Sequence, residues 1–231
     1  MSTLYFVRHG QASFGKEDYD QLSPLGYEQA RITGEYLSKV TQPSIFISGT
    51  LKRQRQTLVE IKKGFSETGL KQAQFLEFKE FNEFDHKNIL EVVYPDIRVK
   101  HKTMLESLTT CDQAFNDFQV MYKAALEKWI RNDGSFNESF VQFNQRIGAG
   151  LKEINGLAVN GDIVLVSSAG PISTCMQYGC ELPADAAFRL CEEMVNTAIS
   201  ALRISSSGKA KLSYFNNFQH LVFAGSDVTY R

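Results

Sequence analysis

Short apolar runs alternate with amphipathic stretches along the first third of the chain. The apolar runs are rich in β-branched and aromatic residues, which predicts buried strands, and the amphipathic stretches carry apolar residues at helical spacing. Ser23 and Pro24 precede the first amphipathic stretch, and both residue types are typical of a helix start. The predicted elements are a strand at 4–7, a helix at 25–40, a strand at 45–48, a helix at 51–65 and a strand at 75–78.

From residue 85 onwards the pattern becomes mainly helical. Long helices are predicted at 111–131 and 136–157, separated by the turn signal Asn132-Asp133-Gly134. A buried strand at 163–167 follows, with helical stretches after it at 172–179 and 185–193. Two further strands, at 198–204 and 211–215, have the pattern of a hairpin. Residues 216–231 show few regular features.

This alternation predicts an α/β fold. A mainly parallel central sheet with helices on both faces gives a three-layer α/β/α arrangement, and the closing hairpin adds an antiparallel edge. The helical stretch at about 86–157 is predicted to be an insertion in that scheme. Because there is no linker, repeat or low-complexity segment, a single domain over 1–231 is expected.

Composition narrows the range of partners and locations. The 25 basic and 26 acidic residues nearly cancel, which argues against a nucleic-acid surface or a polybasic membrane patch. No apolar run approaches the roughly 18 residues of a membrane span, and the first residues lack the features of a signal peptide. The four cysteines form no C-x-x-C pair and accompany no histidine cluster. We therefore expect reduced thiols in a cytosolic protein, with no metal or cofactor.

Polar and charged residues follow the ends of the predicted strands. In open α/β sheets, ligands bind beyond the carboxyl ends of the strands, so groups placed there can converge on one site. The groups in question are Arg8-His9-Gly10, Ser48-Gly49-Thr50 with the nearby Arg53, Glu83, and Ser167-Ser168-Ala169-Gly170.

Together these groups have the chemistry needed for phosphoryl transfer. Two guanidinium groups and a helix N-terminus bind a phosphate dianion, and an imidazole between two cations is disfavoured in its protonated form. A neutral His9 could then attack phosphorus, and Glu83 could protonate the leaving alkoxide. Because no metal ligand set is visible, arginines would have to balance the charge of the transferred group.

Three motifs in the first 60 residues carry a family resemblance. The stretch FVRHGQ, the pattern D-x-L-S-x-x-G-x-x-Q-A from Asp20 and the pattern S-G-T-L-K-R-x-x-Q-T from Ser48 resemble the histidine phosphatase superfamily, the phosphoglycerate mutase-like clan. LVSSAGPIS, residues 196–200 and NFQHL at 217–221 resemble later segments of the clan. The resemblance covers most of the chain and implies a phosphoglycerate mutase-like α/β fold.

The resemblance also implies roles for individual residues. His9 matches the phosphorylated nucleophile, and Arg8 and Arg53 match the phosphate-binding arginines. Gln11 and Ser13 occupy the loop that usually helps to hold phosphate or substrate.

The proton donor is less narrowly defined than the nucleophile. Glu83 matches the acidic residue that serves as proton donor in many members. Glu77, Glu80 and Asp85 lie close by in the sequence, so the choice among these acids is left open.

Ser168 is the main departure from the family pattern, because most members carry a second histidine at this position. Serine can donate one hydrogen bond but supplies no positive charge. Losing one charge-assisted contact costs about 2–4 kcal/mol, or a factor of roughly 10² to 10³ in rate. We therefore expect an activity that is slow rather than absent. His86 could face the same pocket as a substitute, or could be an ordinary surface histidine.

The leading prediction is a metal-independent phosphatase acting on a small phosphorylated substrate. One alternative is a catalytically weak phospho-ligand binding or regulatory protein, which Ser168 favours. Another is a phosphoglycerate mutase, which is disfavoured because Phe14-Gly15-Lys16 stands where mutases usually have a Trp-Asn pair. Basic residues at 87–102 could attract anions, although a solvated face is the preferred interpretation. The individual substrate and the oligomeric state are left open.

Overall fold

A computed structural model describes residues 2–13, 20–96, 112–157, 161–205 and 209–230 of the chain. The strands in this part are β1 (Ser2–Arg8), β2 (Ile45–Ser48), β3 (Gln74–Glu77), β4 (Ile163–Ser167), β5 (Ile199–Ile204) and β6 (Ala210–Asn217). The helices are α1 (Pro24–Val40), α2 (Lys52–Lys62), α3 (Glu67–Gln72), α4 (His86–Val93), α5 (Asp112–Ile130), α6 (Phe140–Leu157), α7 (Ala169–Cys180), α8 (Ala184–Arg189) and α9 (Gln219–Phe223), with a 3₁₀ helix at Lys79–Phe81.

The described strands form one mixed sheet in the order β3-β2-β4-β1-β5-β6. β1, β2, β3 and β4 run parallel to one another, whereas β5 pairs antiparallel with β1 and with β6. The predicted parallel sheet with an antiparallel closing hairpin is thus confirmed. Because the four parallel strands point the same way, their carboxyl ends lie along a single edge of the sheet.

The central strands are buried on both faces. Tyr5 and Val7 of β1 belong to a core cluster that includes Leu37 of α1 and Ile61 of α2. Leu4 and Phe6, which alternate with them, are also fully buried, as are all residues of β4. Helix α7 contacts β1 and β6. Burial on both faces explains why these strands read as continuous apolar runs, and it confirms the three-layer α/β/α prediction.

Two of the observed helices were not expected, a third was expected only as part of the helical stretch at about 86–157, and one begins earlier than expected. The sequence pattern did not indicate α3 or α9, since both span only five or six residues. Separate bounds for α4, which spans eight residues, were not predicted. Helix α7 begins at Ala169 instead of residue 172. Gly170 and Pro171 suggest a loop, but proline is tolerated in the first turn of a helix because its missing N–H would have no helical partner there. The helix N-terminus therefore lies directly after β4.

The contacts divide the chain into two compact units. One unit comprises Met1–Glu83 and Arg146–Arg231, and the other comprises Phe84–Gln145. Within the second unit, the ring of Phe84 lies 4.8 Å from that of Trp129, between ring centres. The single domain over 1–231 with an insertion at about 86–157 stays a prediction.

Part of the insertion lies outside the described residues, including Arg98, Lys100, His101, Lys102 and Cys111. Lys87 is described, and it is highly exposed and lies 4.0 Å from Glu91. This exposure agrees with a solvated face at that position.

Within the described part of the chain, Cys175, Cys180 and Cys191 are free thiols. No helix in that part is both long and apolar enough to cross a membrane.

His220 of α9 is a buried histidine whose pKa is lowered to about 4, mainly because burial disfavours its charged form. The Thr33 hydroxyl donates to the Gln29 carbonyl, so it accepts a hydrogen bond from His220 Nε2 at 2.9 Å. The ring of Tyr36 is stacked on the imidazole, 5.2 Å between ring centres. This side chain is therefore held in its neutral form.

We expect His220 to make the protein less stable in acid. Between the ordinary pKa of 6.5 and the folded value of about 4, the unfolded chain binds a proton that the folded chain does not. The free energy of unfolding should therefore fall by roughly 3 kcal/mol as pH drops through this window, and this contribution should level off below it. Urea denaturation of wild type and His220→Gln across this range isolates the effect, since other groups titrate in both proteins. Parallel stability curves would contradict the prediction.

Candidate active site

The strand ends that carry the predicted site residues lie next to one another. Arg8 at the end of β1 is opposite Ser167 at the end of β4, and Ser48 at the end of β2 is opposite Val166. The backbone N–H of His9 donates to the Ser167 carbonyl at 2.8 Å. The three polar groups that the sequence placed at separate strand ends therefore meet at one edge of the sheet.

His9 is buried, and its two ring nitrogens have different partners. Arg53 donates its Nε–H to His9 Nε2 at 3.1 Å, and His9 Nδ1 lies 2.8 Å from the carbonyl oxygen of Gly10. An arginine can only donate and a carbonyl can only accept. The imidazole is therefore neutral, with its proton on Nδ1 and a lone pair on Nε2. This is the form in which an imidazole acts as a nucleophile.

Arg53 lies in the first turn of α2 and is held by a second partner. Its Nη1 forms an ion pair with Asp20 at 2.6 Å, and the other oxygen of Asp20 accepts from the backbone N–H of Lys52 at 2.8 Å. The Arg53 side chain is 7% exposed, whereas that of Asp20 is 36% exposed. Asp20 thus aims the guanidinium at His9 from the solvent side. Two of the five N–H donors of Arg53 take part in these contacts.

Arg8 is buried beside His9, and its guanidinium contacts main-chain carbonyls. Nη1 donates to the carbonyl of Met194, and Nη2 donates to the carbonyl of Tyr230 at 3.0 Å. Burying a guanidinium is costly unless it is hydrogen-bonded, and these carbonyls help to offset the cost. The positive charge of Arg8 therefore lies at the edge of the sheet, and two of its guanidinium nitrogens donate to main-chain carbonyls.

The backbone around His9 is fixed by residues that follow α8. Asn196 donates from Nδ2 to the His9 carbonyl at 3.1 Å, and Thr197 donates its N–H to the Arg8 carbonyl at 3.0 Å. Thr197 has a φ of 57°, which a β-branched residue adopts only at a cost in energy. Thr229 donates its hydroxyl to Asn196 Oδ1 at 2.9 Å. These contacts limit the movement of the His9 main chain.

Gly10 allows close packing of this loop against α1. A Cβ atom at Gly10 would overlap the carbonyl of Gly26, and one at Gly26 would overlap the backbone of Gln11. Because neither position has room for a side chain, the loop lies directly on the first turn of the helix.

Gln11 and Ser13 connect the same loop to the start of α1. The Gln11 side-chain carbonyl accepts from the Ser23 hydroxyl at 2.7 Å, and Ser13 donates its hydroxyl to the Leu22 carbonyl at 3.2 Å. Ser13 is buried, while Gln11 is partly exposed and carries an amide NH₂ group. Of the two, Gln11 is better placed to donate to a ligand. The adjoining Phe14-Gly15-Lys16 lies outside the described residues.

Glu83 reaches the N-terminus of α7. Its carboxylate accepts a hydrogen bond from the backbone N–H of Gly170 at 3.2 Å. Asn82, the preceding residue, exchanges two 2.7 Å hydrogen bonds with Thr50 after β2. Arg146 donates to the Asn82 carbonyl at 3.0 Å. Glu83 is thus carried to the sheet edge by a segment that is fixed on two sides.

Two of the neighbouring acids have other partners. Glu77 forms a bidentate ion pair with Arg55 at 2.6 and 2.8 Å on the surface, and Asp85 accepts from the N–H of Asn88 as the N-cap of α4. The Glu83 carboxylate is instead bonded to the first turn of α7. Glu77 and Asp85 thus have other partners, while Glu83 as the proton donor, with Glu80 as the remaining alternative, stays a prediction.

His86, the candidate for a substitute histidine, belongs to the Phe84–Gln145 unit. Its Nδ1 lies 2.6 Å from the Tyr122 hydroxyl, and its ring makes an edge contact with Phe84 at 4.5 Å between ring centres. The suggestion that His86 substitutes for a second histidine stays a prediction.

A family model for the histidine phosphatase superfamily (branch 1) matches residues 4–217. The chain belongs to this superfamily. No curated protein sequence matches the chain.

Solved structures with the same fold are distant in sequence. YhfR from Bacillus stearothermophilus is 15% identical, with a TM-score of 0.63, over 96% of this chain and 100% of that chain. A phosphoserine phosphatase mutant from Entamoeba histolytica, in complex with phosphoserine, is 17% identical, with a TM-score of 0.64, over the same shares of the two chains. A putative alpha-ribazole-5′-P phosphatase from Escherichia coli is 18% identical, with a TM-score of 0.63, over 94% of this chain and 96% of that chain.

Ser168, the position at which the histidine phosphatase resemblance fails, is fully buried and is the N-cap residue of α7. Its hydroxyl oxygen accepts a hydrogen bond from Gln54 Nε2 at 2.8 Å. Gln54 was not predicted as a site residue, because a glutamine inside a polar helical run is typical of a solvated face. Asn82 and Arg146 were not predicted either, because their partners lie far away in the sequence and such contacts leave no local pattern.

Proposed function

We propose that this protein is a phosphomonoester hydrolase that works through a phosphohistidine on His9, without a metal ion. The observation that carries the proposal is the contact of Arg53 Nε with His9 Nε2, together with that of His9 Nδ1 with the Gly10 carbonyl. These contacts supply a neutral nucleophile whose lone pair faces a guanidinium. A phosphoryl group that arrives at this position meets both groups at once.

In the first step, the lone pair of His9 Nε2 attacks phosphorus, and the bond between phosphorus and the leaving oxygen breaks. Arg53 moves its Nε–H from the imidazole to a phosphoryl oxygen, and the charge of Arg8 helps to balance the transferred group. Glu83, in its protonated form, donates its proton to the leaving oxygen. The products of this step are an alcohol, the Glu83 carboxylate and phosphohistidine, whose Nδ1–H still donates to the Gly10 carbonyl.

In the second step, water attacks phosphorus and the bond between phosphorus and Nε2 breaks. The Glu83 carboxylate takes the proton of the water, which restores its acid form for the next cycle. His9 returns to the neutral form with its proton on Nδ1, and inorganic phosphate leaves. One side chain thus serves as acid in the first half of the reaction and as base in the second.

The substrate class that we propose is phosphomonoesters of small metabolites. Two structures of similar fold are described as a phosphoserine phosphatase and a putative alpha-ribazole-5′-P phosphatase, which supports a small substrate without naming one. A screen of phosphorylated metabolites, with release of phosphate as the readout, would identify it. The cytosolic location stays a prediction.

Trapping the phosphoenzyme tests the covalent mechanism directly. Rapid acid-free denaturation after mixing with a substrate labelled in its phosphoryl group should give labelled protein whose label is stable in alkali and lost in acid. Turnover without any labelled protein at short times would contradict the covalent step. A coupled phosphoglycerate mutase assay tests the phosphotransferase alternative on the same preparation.

A phospho-ligand binding protein with little turnover is the second candidate, and the neutral Ser168 is the observation that favours it. Arg8, Arg53 and His9 would also serve to bind a phosphate group without transferring it. Hydrolysis of an aryl phosphate, compared with the affinity for inorganic phosphate by calorimetry, separates the two functions. Tight binding with no hydrolysis would support the second candidate.

The role of Glu83 can be tested by varying the leaving group. Glu83→Gln is expected to lower kcat/KM, which reports the first step, by about 10²-fold for alkyl phosphates, because their leaving oxygen needs a proton. The loss in kcat/KM should be much smaller for p-nitrophenyl phosphate, whose leaving group departs as a stable anion. Glu77→Gln and Glu80→Gln test two of the alternative acids. Equal losses for both leaving groups, or a larger loss in Glu77→Gln or Glu80→Gln, would reassign the proton donor.

A further inference from the structure

Gln54 and Ser168 are two fully buried polar residues that come from separate elements and meet at the edge of the sheet. Gln54 follows Arg53 in the first turn of α2, and Ser168 lies between β4 and α7. Gln54 Nε2 donates to Ser168 Oγ at 2.8 Å. Arg53 and Ser167, the chain neighbours of this pair, both contact His9, so Gln54 and Ser168 belong to the two segments that hold the proposed nucleophile.

The orientation of the Gln54 amide is determined by its partners. Nε2 also donates to the Phe81 carbonyl at 3.1 Å, so each of its two hydrogens has an acceptor. The side-chain oxygen accepts from the Leu51 N–H at 3.3 Å. A flipped amide would place an oxygen against the Phe81 carbonyl, two acceptors in contact, which is unfavourable. The side chain also packs closely on Gly49, where a Cβ atom would overlap the amide oxygen.

This arrangement decides what the Ser168 hydroxyl can do. Because its oxygen accepts from Gln54, its single hydrogen has to be donated elsewhere. The nearby Phe81 carbonyl already accepts two hydrogen bonds, one from Gln54 and one from the Ser167 hydroxyl at 2.7 Å. A carbonyl oxygen has two lone pairs, so this acceptor is fully used.

We propose that Gln54 is a positioning residue that directs the hydroxyl hydrogen of Ser168 towards an oxygen of the phosphoryl group on His9. Ser168 is then a neutral donor to the transferred group, held in place by the amide. This inference rests on the proposed function, since it deepens the account of the same site. It assigns to Gln54 a role in the rate of phosphoryl transfer and none in the recognition of the leaving group.

A double-mutant cycle tests the proposal. Ser168→Ala is expected to lower kcat by about 10²-fold, as for the loss of one donor to a transition-state oxygen. Gln54→Met, which is similar in size and removes both donors, should lower kcat by about tenfold, because the hydroxyl then turns away part of the time. In the Ser168→Ala background, Gln54→Met should have little further effect. Equal losses from Gln54→Met in both backgrounds would overturn the proposal.

Gln54→Glu is a second variant that keeps the shape of the side chain. Its carboxyl group carries at most one hydrogen in place of the two of the amide, so it cannot donate to both the Phe81 carbonyl and Ser168, and a free carboxyl oxygen would draw the Ser168 hydrogen away from the phosphoryl group. We expect kcat to fall at least as far as in Ser168→Ala. Because Gln54 has no role in recognising the leaving group, any change in KM should be by the same factor for aryl and for alkyl substrates. A kcat close to that of wild type would contradict the assigned direction of the Ser168 donor. Thermal unfolding of each variant identifies any loss that reflects misfolding.

Affinity for inorganic phosphate tests the proposal without relying on turnover. Calorimetry should show weaker binding by about tenfold in Ser168→Ala and severalfold in Gln54→Met, again without additivity. If the wild type binds phosphate with this coupling but hydrolyses no phosphomonoester, the proposed function fails and the positioning role stands. If the wild type hydrolyses substrates, but the effects of Gln54→Met and Ser168→Ala on affinity and on kcat simply add in the double variant, the positioning role fails and the proposed function stands.

Discussion

Replacing His9 with alanine is expected to lower kcat for an aryl phosphate by at least about 10⁴-fold, the scale on which enzymes lose activity with their nucleophile. The reason is that this variant removes the lone pair on Nε2 that Arg53 faces in the structure. The labelled phosphoenzyme should disappear as well. Release of phosphate from the substrate measures the first effect and rapid quench measures the second.

The binding of inorganic phosphate provides the internal control for His9→Ala. The arginines remain in this variant, so its affinity for phosphate should change by less than about tenfold. A His9→Ala protein that binds phosphate, unfolds at the wild-type temperature and retains turnover would show that His9 is not the nucleophile. If the protein is instead a phospho-ligand binding protein with little turnover, wild type and His9→Ala should differ only slightly in aryl phosphate hydrolysis and in affinity for inorganic phosphate.

Replacing Arg53 with alanine is expected to lower kcat/KM by about 10³-fold. Two effects contribute, since Arg53 Nε holds the proton of His9 on Nδ1 and the guanidinium balances the charge of the phosphoryl group. Arg53→Lys should recover only part of the loss. The guanidinium of Arg53 contacts His9 through Nε and Asp20 through Nη1, and a single ammonium group cannot make both contacts in this geometry. Steady-state kinetics of the three proteins measures the difference.

Arg55 offers a matched control two residues further along α2. Its side chain is half exposed and forms a bidentate ion pair with Glu77 on the surface. Arg55→Ala removes the same charge from the same helix, and we expect its kcat/KM to stay within about twofold of wild type and its stability to change little, because exposed ion pairs contribute little. Similar losses for Arg53→Ala and Arg55→Ala would mean that only the net charge of the helix matters, which would contradict the role assigned to Arg53.

The strands that support the site could be predicted because they are buried on both faces. Continuous apolar runs such as Ile45–Ser48 and Ile163–Ser167 are unusual outside the centre of a parallel sheet, and the structure has both strands with those bounds. The start of α1 was predictable for a local reason, since the Ser23 hydroxyl accepts from the Gly26 N–H at 3.0 Å. Such signals depend on near neighbours in the chain.

The direction of buried polar side chains was not predictable in the same way. The partners of Gln54 lie at residues 51, 81 and 168, so its bonds exist only after three segments have come together. Arg8 was expected to face a phosphate, and the structure shows that its fork also holds the carbonyls of Met194 and Tyr230. The sequence contains no periodic pattern for contacts of this kind.

The sequence by itself determined the fold class, the family and the identity of the nucleophile candidate. The apolar runs of the buried strands and the three motifs each consist of residues that are close together in the chain, so they can be recognised without the tertiary structure. The tertiary structure decided which tautomer His9 adopts, which acid reaches the first turn of α7, and which amide holds Ser168. These choices depend on hydrogen bonds between distant segments. A buried donor has to find an acceptor when the chain packs, and only the packed chain determines which acceptor that is.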